Sequence, residues 1–484
     1  MPSGRVIRVA HADDGVAAQS LRRGVAAVQA ELGVVDFTPD VLAEAEQSAA
    51  QVVLPDNDQT SVPFVTIDPP GSMDLDQAMH IERHGDGYTV HYAIADLASF
   101  VTPGGALDLE VNRRGLTLYG ADSSVPLHPE VLSHGAASLL PEQVRPALLW
   151  TTELDAKGAI TSTHVERARV RSIARLDYAS VQEALDHDTL DAAYVDTIRR
   201  LKEVGELRIQ QEIDRGGITL NLPDQEIEVV GDLWRLGFRR QLPVEEWNAQ
   251  ISLLTGFGAA NLMLGAKVGL LRTLPPPDPR DVDRLRRTAS ALGVEWGTES
   301  VSEFVRGLDA SDPKQAAMLV ASTRLLRGSG YVGFDGEVPE LHTQAALASA
   351  YAHVTAPLRR LIDRYAGEIC IAICAGRPIP DWVKDAIARV PEEMRAADHR
   401  SSTYEKAILD LVEAGILAPQ VGEQFDGVIV DVSGKEPTRG SVTIQAPAVE
   451  ASVSAAAALP LGQAVTVTLV TADVSTRKVA FSLA

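Results

Sequence analysis

The spacing of hydrophobic residues changes three times along the 484-residue chain. From Val62 it is strand-like, in VPFVTID and then AMHIERHGDGYTVHYAIAD, where Gly85, Asp86 and Gly87 mark a hairpin turn. Strand patterns continue through TLYGADSSVPLHP, ALLWTTELDAKGAITS and THVERARVRSIARL. Between about 178 and 415 the period becomes helical, predicting helices over 190–213, 244–270, 280–292, 313–326, 356–375 and 380–415, interrupted by the strand-like GGITLNLP and EIEVVGD. After Pro419 short β-branched runs return, among them FDGVIVDV, GSVTIQA, AVTVTLVTADV and KVAFSL. Five such runs in about 65 residues predict a small barrel of OB type. The expected fold class is therefore α+β, with a helical segment over 1–60, a large body over 61–418 and a C-terminal barrel over 419–484.

Residues 1–60 predict two Ala-rich helices, near 15–32 and 39–50, the second with Thr38 as N-cap and Pro39 at its first position. The polar stretch from Pro55 to Thr60 reads as a linker. So short a segment serves as a reduced helix-turn-helix-like module or as a brace, with Arg5, Arg22 and Arg23 as its few cations.

Hydrophobic residues make up 45% of the chain, which excludes global disorder. Lys plus Arg number 44 against 66 Asp plus Glu, a net charge of -22 that excludes a general basic coat but leaves room for a local basic channel. The N-terminal MPSGRVIRVAHADD lacks the apolar core of a secretory signal, so a cytoplasmic protein is expected. The stretch Leu253–Leu271 carries Asn261, Lys267 and four glycines, which predicts a buried helical hairpin; no membrane partner is expected. Cys370 and Cys374 are four apart, share one helix face and read as small core hydrophobes.

The sharpest local feature is VTIDPPGSMDLDQAMHI. A strand ends at Asp68, a Pro-Pro-Gly turn follows, and a new strand is expected from about Asp74. Asp74 and Asp76 are two apart, so on a strand their carboxylates point to one side, with Asp68 across the turn. Three converging carboxylates repel unless a cation sits among them, and hard oxygen ligands favour Mg²⁺ or Mn²⁺ over zinc. The same residue types also make an ordinary acidic turn.

The second feature is YAHVTAPLRRLIDRYAGEI, where Thr355, Ala356 and Pro357 are expected to open a helix carrying Arg359, Arg360, Asp363 and Arg364 in its first two turns. Arginines at a helix N-terminus oppose the dipole, which points to a phosphate held there. A set of surface ion pairs such as Arg360 with Asp363 is the alternative, and His353 reads as a core or capping residue. Further positive charge lies in HVERARVRSIAR, where Arg167, Arg169 and Arg171 alternate on one strand face, and in WRLGFRR from Trp234 to Arg240. The first is either a phosphate track or a solvated face.

Taken together these segments resemble the RNase II/RNB family of exoribonucleases. YAHVTAPLRRLIDRY is similar to that family's YTHFTSPIRRYADL, and HYAIADLASFVTPGGALDLEVNRRGLTLY and VPLHPEVLSHGAASLLPEQVRPAL resemble its segments in the same order. The resemblance runs from about Val62 to Leu417. It implies an RNB-type catalytic domain that hydrolyses single-stranded RNA processively from the 3' end to nucleoside 5'-monophosphates at a Mg²⁺ site, Mn²⁺ being the other candidate, with no obligate protein partner. By that resemblance Asp68, Asp74 and Asp76 hold metal and the attacking water, and Asp76, Arg359 and Glu405 are catalytic. Glu405, in TYEKAILDL, aligns with a glutamate of the family's late helix, and Tyr119 matches the tyrosine that stacks on the 3'-terminal base.

Two positions depart from the family pattern. A fourth acid usually follows Asp76, and here Gln77 stands there; its amide oxygen can still ligate a hard cation with one charge less. The family's second stacking aromatic is replaced by Leu220 in RGGITLN. Both departures keep open a catalytically inactive RNA-binding protein on the same fold.

Overall fold

The computed structural model describes residues 16–121, 124–230 and 233–483; Arg5 and the side chains of Trp234 and Arg235 lie outside what is described. Five strands, Phe64–Asp68, Gln77–His84, Gly87–Ala95, Val144–Leu154 and Ile160–Asp177, are neighbours in that order and close into a barrel as the first pairs parallel to the last. The hairpin expected at Gly85 is present: Gly85 has φ +57, and Gly87 lies so close to the next strand that a Cβ would sit 1.9 Å from the Leu154 carbonyl oxygen. Phe64, Val65, Thr66 and Ile67 are all buried, because the barrel interior takes one strand face while helices cover the other.

Helices Val195–Arg215, Pro243–Ala266 and Leu361–Cys374 pack around the barrel and share its core. Pro243–Ala266 is long and apolar enough to cross a membrane by length and composition. Trp247, Ile251, Leu254 and Met263 nevertheless point into the main core. The hairpin expected at Leu253–Leu271 is instead this single helix followed by the strand Val268–Thr273, which pairs with Gly330–Asp335. Lys267, at φ +58, ends the helix and reverses the chain. GGITLNLP forms no strand, whereas Asp224–Val230 does.

The C-terminal barrel has five strands in the order Gln424–Val432, Arg439–Gln445, Ala448–Ala455, Lys478–Leu483, Ala464–Asp473, and it is closed. Its core residues Ile429, Val442, Val467 and Phe481 belong to the same cluster as Tyr404, Ile408 and Val412 of the long helix Val390–Leu417. That helix also sends Val390 and Met394 into the main core, so it ties the two barrels together. The N-terminal helices divide between them: Val16–Glu31 packs Leu21, Val25 and Val28 into the C-terminal cluster, while Pro39–Gln51 packs Val41 and Ala45 into the main core. Each helix therefore braces a different core, and they do not form the compact pair a helix-turn-helix requires.

Candidate active site

Asp68 ends the first barrel strand, and Gly71, at φ +84, completes the turn after it. The next strand begins at Gln77, so Asp74 and Asp76 lie in an irregular segment and not on a strand as expected. Hydrogen bonds to distant groups hold that segment: Leu75 N–H donates to Ser138 Oγ at 3.0 Å, and the Asp76 carbonyl accepts from Ala95 N–H at 2.9 Å.

The arginine segment also departs from the expected helix. The helix starts at Leu361, and Arg360 precedes it in extended conformation, so Arg359 and Arg360 are not in its first turns. Pro357 explains part of this, since the residue before a proline, here Ala356, is disfavoured in the helical region. Tertiary partners do the rest. Asp76 Oδ1 accepts from Leu358 N–H at 2.7 Å, and Asp363 Oδ1 accepts from Ala356 N–H at 2.7 Å. The Leu358 carbonyl accepts from His128 Nδ1 at 3.0 Å, and the Arg359 carbonyl from Thr117 N–H at 3.0 Å.

These contacts bring Arg359 to Asp76, with Nε 3.4 Å from Oδ2. Arg359 keeps 50% of its side-chain surface accessible while Asp76 is buried, so the guanidinium lines an open recess with the carboxylate behind it. Burial pushes the Asp68 carboxyl up to about 7, against the opposing pull of Arg359 and with the charge of Asp74 adding to the rise. Burial likewise holds Asp76 well above the usual range, again opposed by Arg359 and reinforced by Asp74. For Arg359 the cost of burial is outweighed by Tyr119, Asp76, Asp68 and Asp74, which keep it charged. Tyr119, on the short strand Leu118–Tyr119, lies beside Arg359, and burial, opposed by that arginine's charge, keeps its phenol protonated.

Asp68, Asp74, Asp76, Arg359 and Tyr119 thus meet in one recess. Other expected site residues are placed differently. Gln77 donates its side-chain amide to the Thr355 carbonyl. Glu405 accepts from Ser401 Oγ at 2.7 Å on the long helix, and after burial its charge neighbour is Asp398, so its contacts lie outside this recess. Arg167, Arg169 and Arg171 share one strand face, but each is paired: Arg167 with Asp96 and Glu368, Arg169 with Asp58 at 2.8 Å, Arg171 with Glu142 at 3.8 Å. Each arginine of the expected phosphate track thus already has an acidic neighbour. In WRLGFRR, Arg239 pairs with Glu245 at 2.7 Å and Arg240 with Asp309 at 3.7 Å. Leu220 packs against the helical cluster of Leu285 and Phe304.

Sequence reasoning underrated Asp363 and His353. Asp363 is buried, binds Arg360 through two hydrogen bonds, one of 2.8 Å, and caps Ala356. Its position three after Arg360 was the available signal, yet it resembles a surface pair. His353 bonds to the Tyr331 hydroxyl at 3.0 Å, and burial, followed by Arg360, Arg272 and Arg359, pushes its pKa well down.

Among the described residues no three His, Cys, Asp or Glu side chains are grouped closely enough to hold a metal ion unaided. The donors nonetheless suit a hard divalent cation. Asp68 Oδ2 is buried without a hydrogen-bond partner, and Mg²⁺ is commonly held by one or two carboxylates with water and substrate phosphate completing the shell.

The fold and this recess define a class that comparison with known proteins identifies. Residues 56–373 match the RNB domain, and residues 423–484 match the RNase II-type exonuclease C-terminal S1 domain. The chain belongs to the RNB-domain exoribonuclease family. It is 27% identical over 402 residues to ribonuclease R of Escherichia coli, covering 78% of this chain and 49% of that protein. It is 26% identical over 353 residues to the exosome complex exonuclease RRP44 homolog A of Arabidopsis thaliana, covering 71% of this chain and 37% of that protein. The chain thus spans half or less of the length of these curated relatives. Mycoplasma genitalium RNase R, solved in complex with ribose-methylated single-stranded RNA, superposes with TM-score 0.85 at 19% identity over 96% of this chain and 78% of its own. Nucleases of this family depend in general on a divalent metal.

Proposed function

We propose that this chain hydrolyses single-stranded RNA processively from its 3' end, releasing nucleoside 5'-monophosphates with the help of Mg²⁺ or Mn²⁺. One observation carries the reading: Asp68, Asp74 and Asp76 share a recess with an accessible Arg359 and with Tyr119. When bound, a divalent cation would supply an activated water and offset charge on the scissile phosphate. Asp68 and Asp74 would hold it, the unpartnered Oδ2 of Asp68 being the clearest free donor. Arg359 would donate to the phosphate as negative charge grows in the transition state, and its planar fork suits that anion better than a lysine. Asp76 would fix Arg359 through Oδ2 and the backbone before it through Oδ1. The Tyr119 ring offers a sequence-tolerant face for the terminal base.

Gln77 favours a second reading, RNA binding without hydrolysis, because the acid usual after Asp76 is missing and the amide is engaged by the Thr355 carbonyl. A time course on 5'-labelled single-stranded RNA, with Mg²⁺ and with chelator, beside the same sequence as DNA, separates the two. Metal-dependent shortening of RNA to a small limit fragment, with no stable mid-sized products, supports hydrolysis. Intact RNA that still shifts in a binding assay supports the second reading.

A further inference from the structure

Gln77 opens the second barrel strand, pairing with Ile94, directly after Asp76. Its side-chain nitrogen meets the carbonyl oxygen of Thr355, a buried residue four before Arg359. A carbonyl oxygen only accepts, so the amide must turn its N–H toward Thr355 and its own oxygen away. An aspartate or glutamate here would set a carboxylate against that carbonyl, acceptor against acceptor. Glutamine supplies the donor that the buried carbonyl needs and that a carboxylate lacks.

The neighbouring bonds give this contact a purpose. Asp76 Oδ1 takes Leu358 N–H at 2.7 Å, Asp76 Oδ2 faces Arg359 Nε at 3.4 Å, and Asp363 Oδ1 takes Ala356 N–H at 2.7 Å. Asp76 and Gln77, adjacent in sequence, therefore grip both ends of the Thr355–Leu358 backbone, and Arg359 is the next residue out. Resting on the nuclease reading above, we infer that Gln77 is a positioning residue: its amide N–H holds the backbone from which Arg359 reaches the phosphate. Asp68 and Asp74 would hold the cation without it.

Gln77→Met, which keeps the length of the side chain and removes the amide, tests this in the full chain by Mn²⁺ titration of RNA-free protein, by hydrogen exchange over residues 351–360, and by steady-state kinetics. The expected result is Mn²⁺ affinity unchanged within about twofold, faster exchange in that segment, and kcat lowered by about 10²-fold at unchanged KM for RNA, not restored by excess Mn²⁺. A loss of Mn²⁺ affinity of about tenfold or more, with kcat recovered at high Mn²⁺ and exchange unmoved, would overturn the inference and make Gln77 a ligand. Should the wild-type chain bind RNA without cutting it, the nuclease reading fails on its own, and exchange still decides: faster exchange in Gln77→Met upholds the positioning role, and unchanged exchange overturns it.

Discussion

At the level of single residues, the recess joins charges that are individually unfavourable. Asp76 is buried, and burial holds its pKa well above the usual range even though Arg359 and Leu358 N–H oppose it. Asp76→Asn retains an oxygen for Leu358 but loses the charge facing Arg359, so it should lower turnover by about 10²-fold or more while leaving RNA affinity within a few-fold, measured by labelled-RNA decay and by gel shift. Equal loss of both would make Asp76 structural. Tyr119 separates two roles. If its ring serves as a stacking face, Tyr119→Phe keeps the length of the final resistant fragment and Tyr119→Ala changes it; an identical product ladder in all three proteins would remove that role. The aspartates, Arg359 and Tyr119 were legible because their residue types sit in an ordered set of segments. Their mutual geometry was not, because each is fixed by groups far away in sequence, such as Asp76 by Leu358 and Arg359 by Thr117.

Among the elements, the strand Ile160–Asp177 and the segment before Leu361–Cys374 show how tertiary context redirects local signals. Alternation correctly placed Arg167, Arg169 and Arg171 on one face, but no sequence pattern reveals that Asp96 and Glu368 converge on Arg167 from another strand end and a helix. Arg167→Met would leave two buried carboxylates unpaired, at a cost of about 3–5 kcal/mol, while the salt dependence of RNA binding stays as in wild type. A shallower salt slope would instead return Arg167 to the RNA path. The Thr355–Arg360 backbone looked helical because its bonds to His128, Asp76 and Asp363 are invisible to a local period. Two of its neighbours set a pH dependence. Burial pushes His128 down to about 3 and His353 well below its ordinary 6.5. The folded chain therefore refuses protons that the unfolded chain accepts, so stability is full above pH 6.5 and falls as pH drops below it, by up to about 1.4 kcal/mol per pH unit for each histidine. Denaturant melts between pH 7 and 5 should show this slope, and His128→Gln with His353→Gln should flatten it.

Across the whole molecule, the long helix Val390–Leu417 belongs to two cores, and the N-terminal helices brace one core each. The sequence pattern separated a C-terminal barrel correctly but could not show that Tyr404, Ile408 and Leu21 complete its hydrophobic cluster. Thermal unfolding followed by a probe in the C-terminal barrel and by one in the first barrel should give coincident transitions; a separate early transition for the C-terminal barrel would show that the shared helix does not couple them. All of these elements converge on one proposed act, cleavage of the last phosphodiester of an RNA strand in the recess of Asp68, Asp74, Asp76 and Arg359. Its most direct test is the identity of the first product from 3'-end-labelled single-stranded RNA in Mg²⁺, compared between wild type and Asp76→Asn. Wild type should release labelled nucleoside 5'-monophosphate at the earliest times, and the variant almost none. Labelled oligonucleotides from wild type, or the same mononucleotide at an undiminished rate from Asp76→Asn, would contradict it.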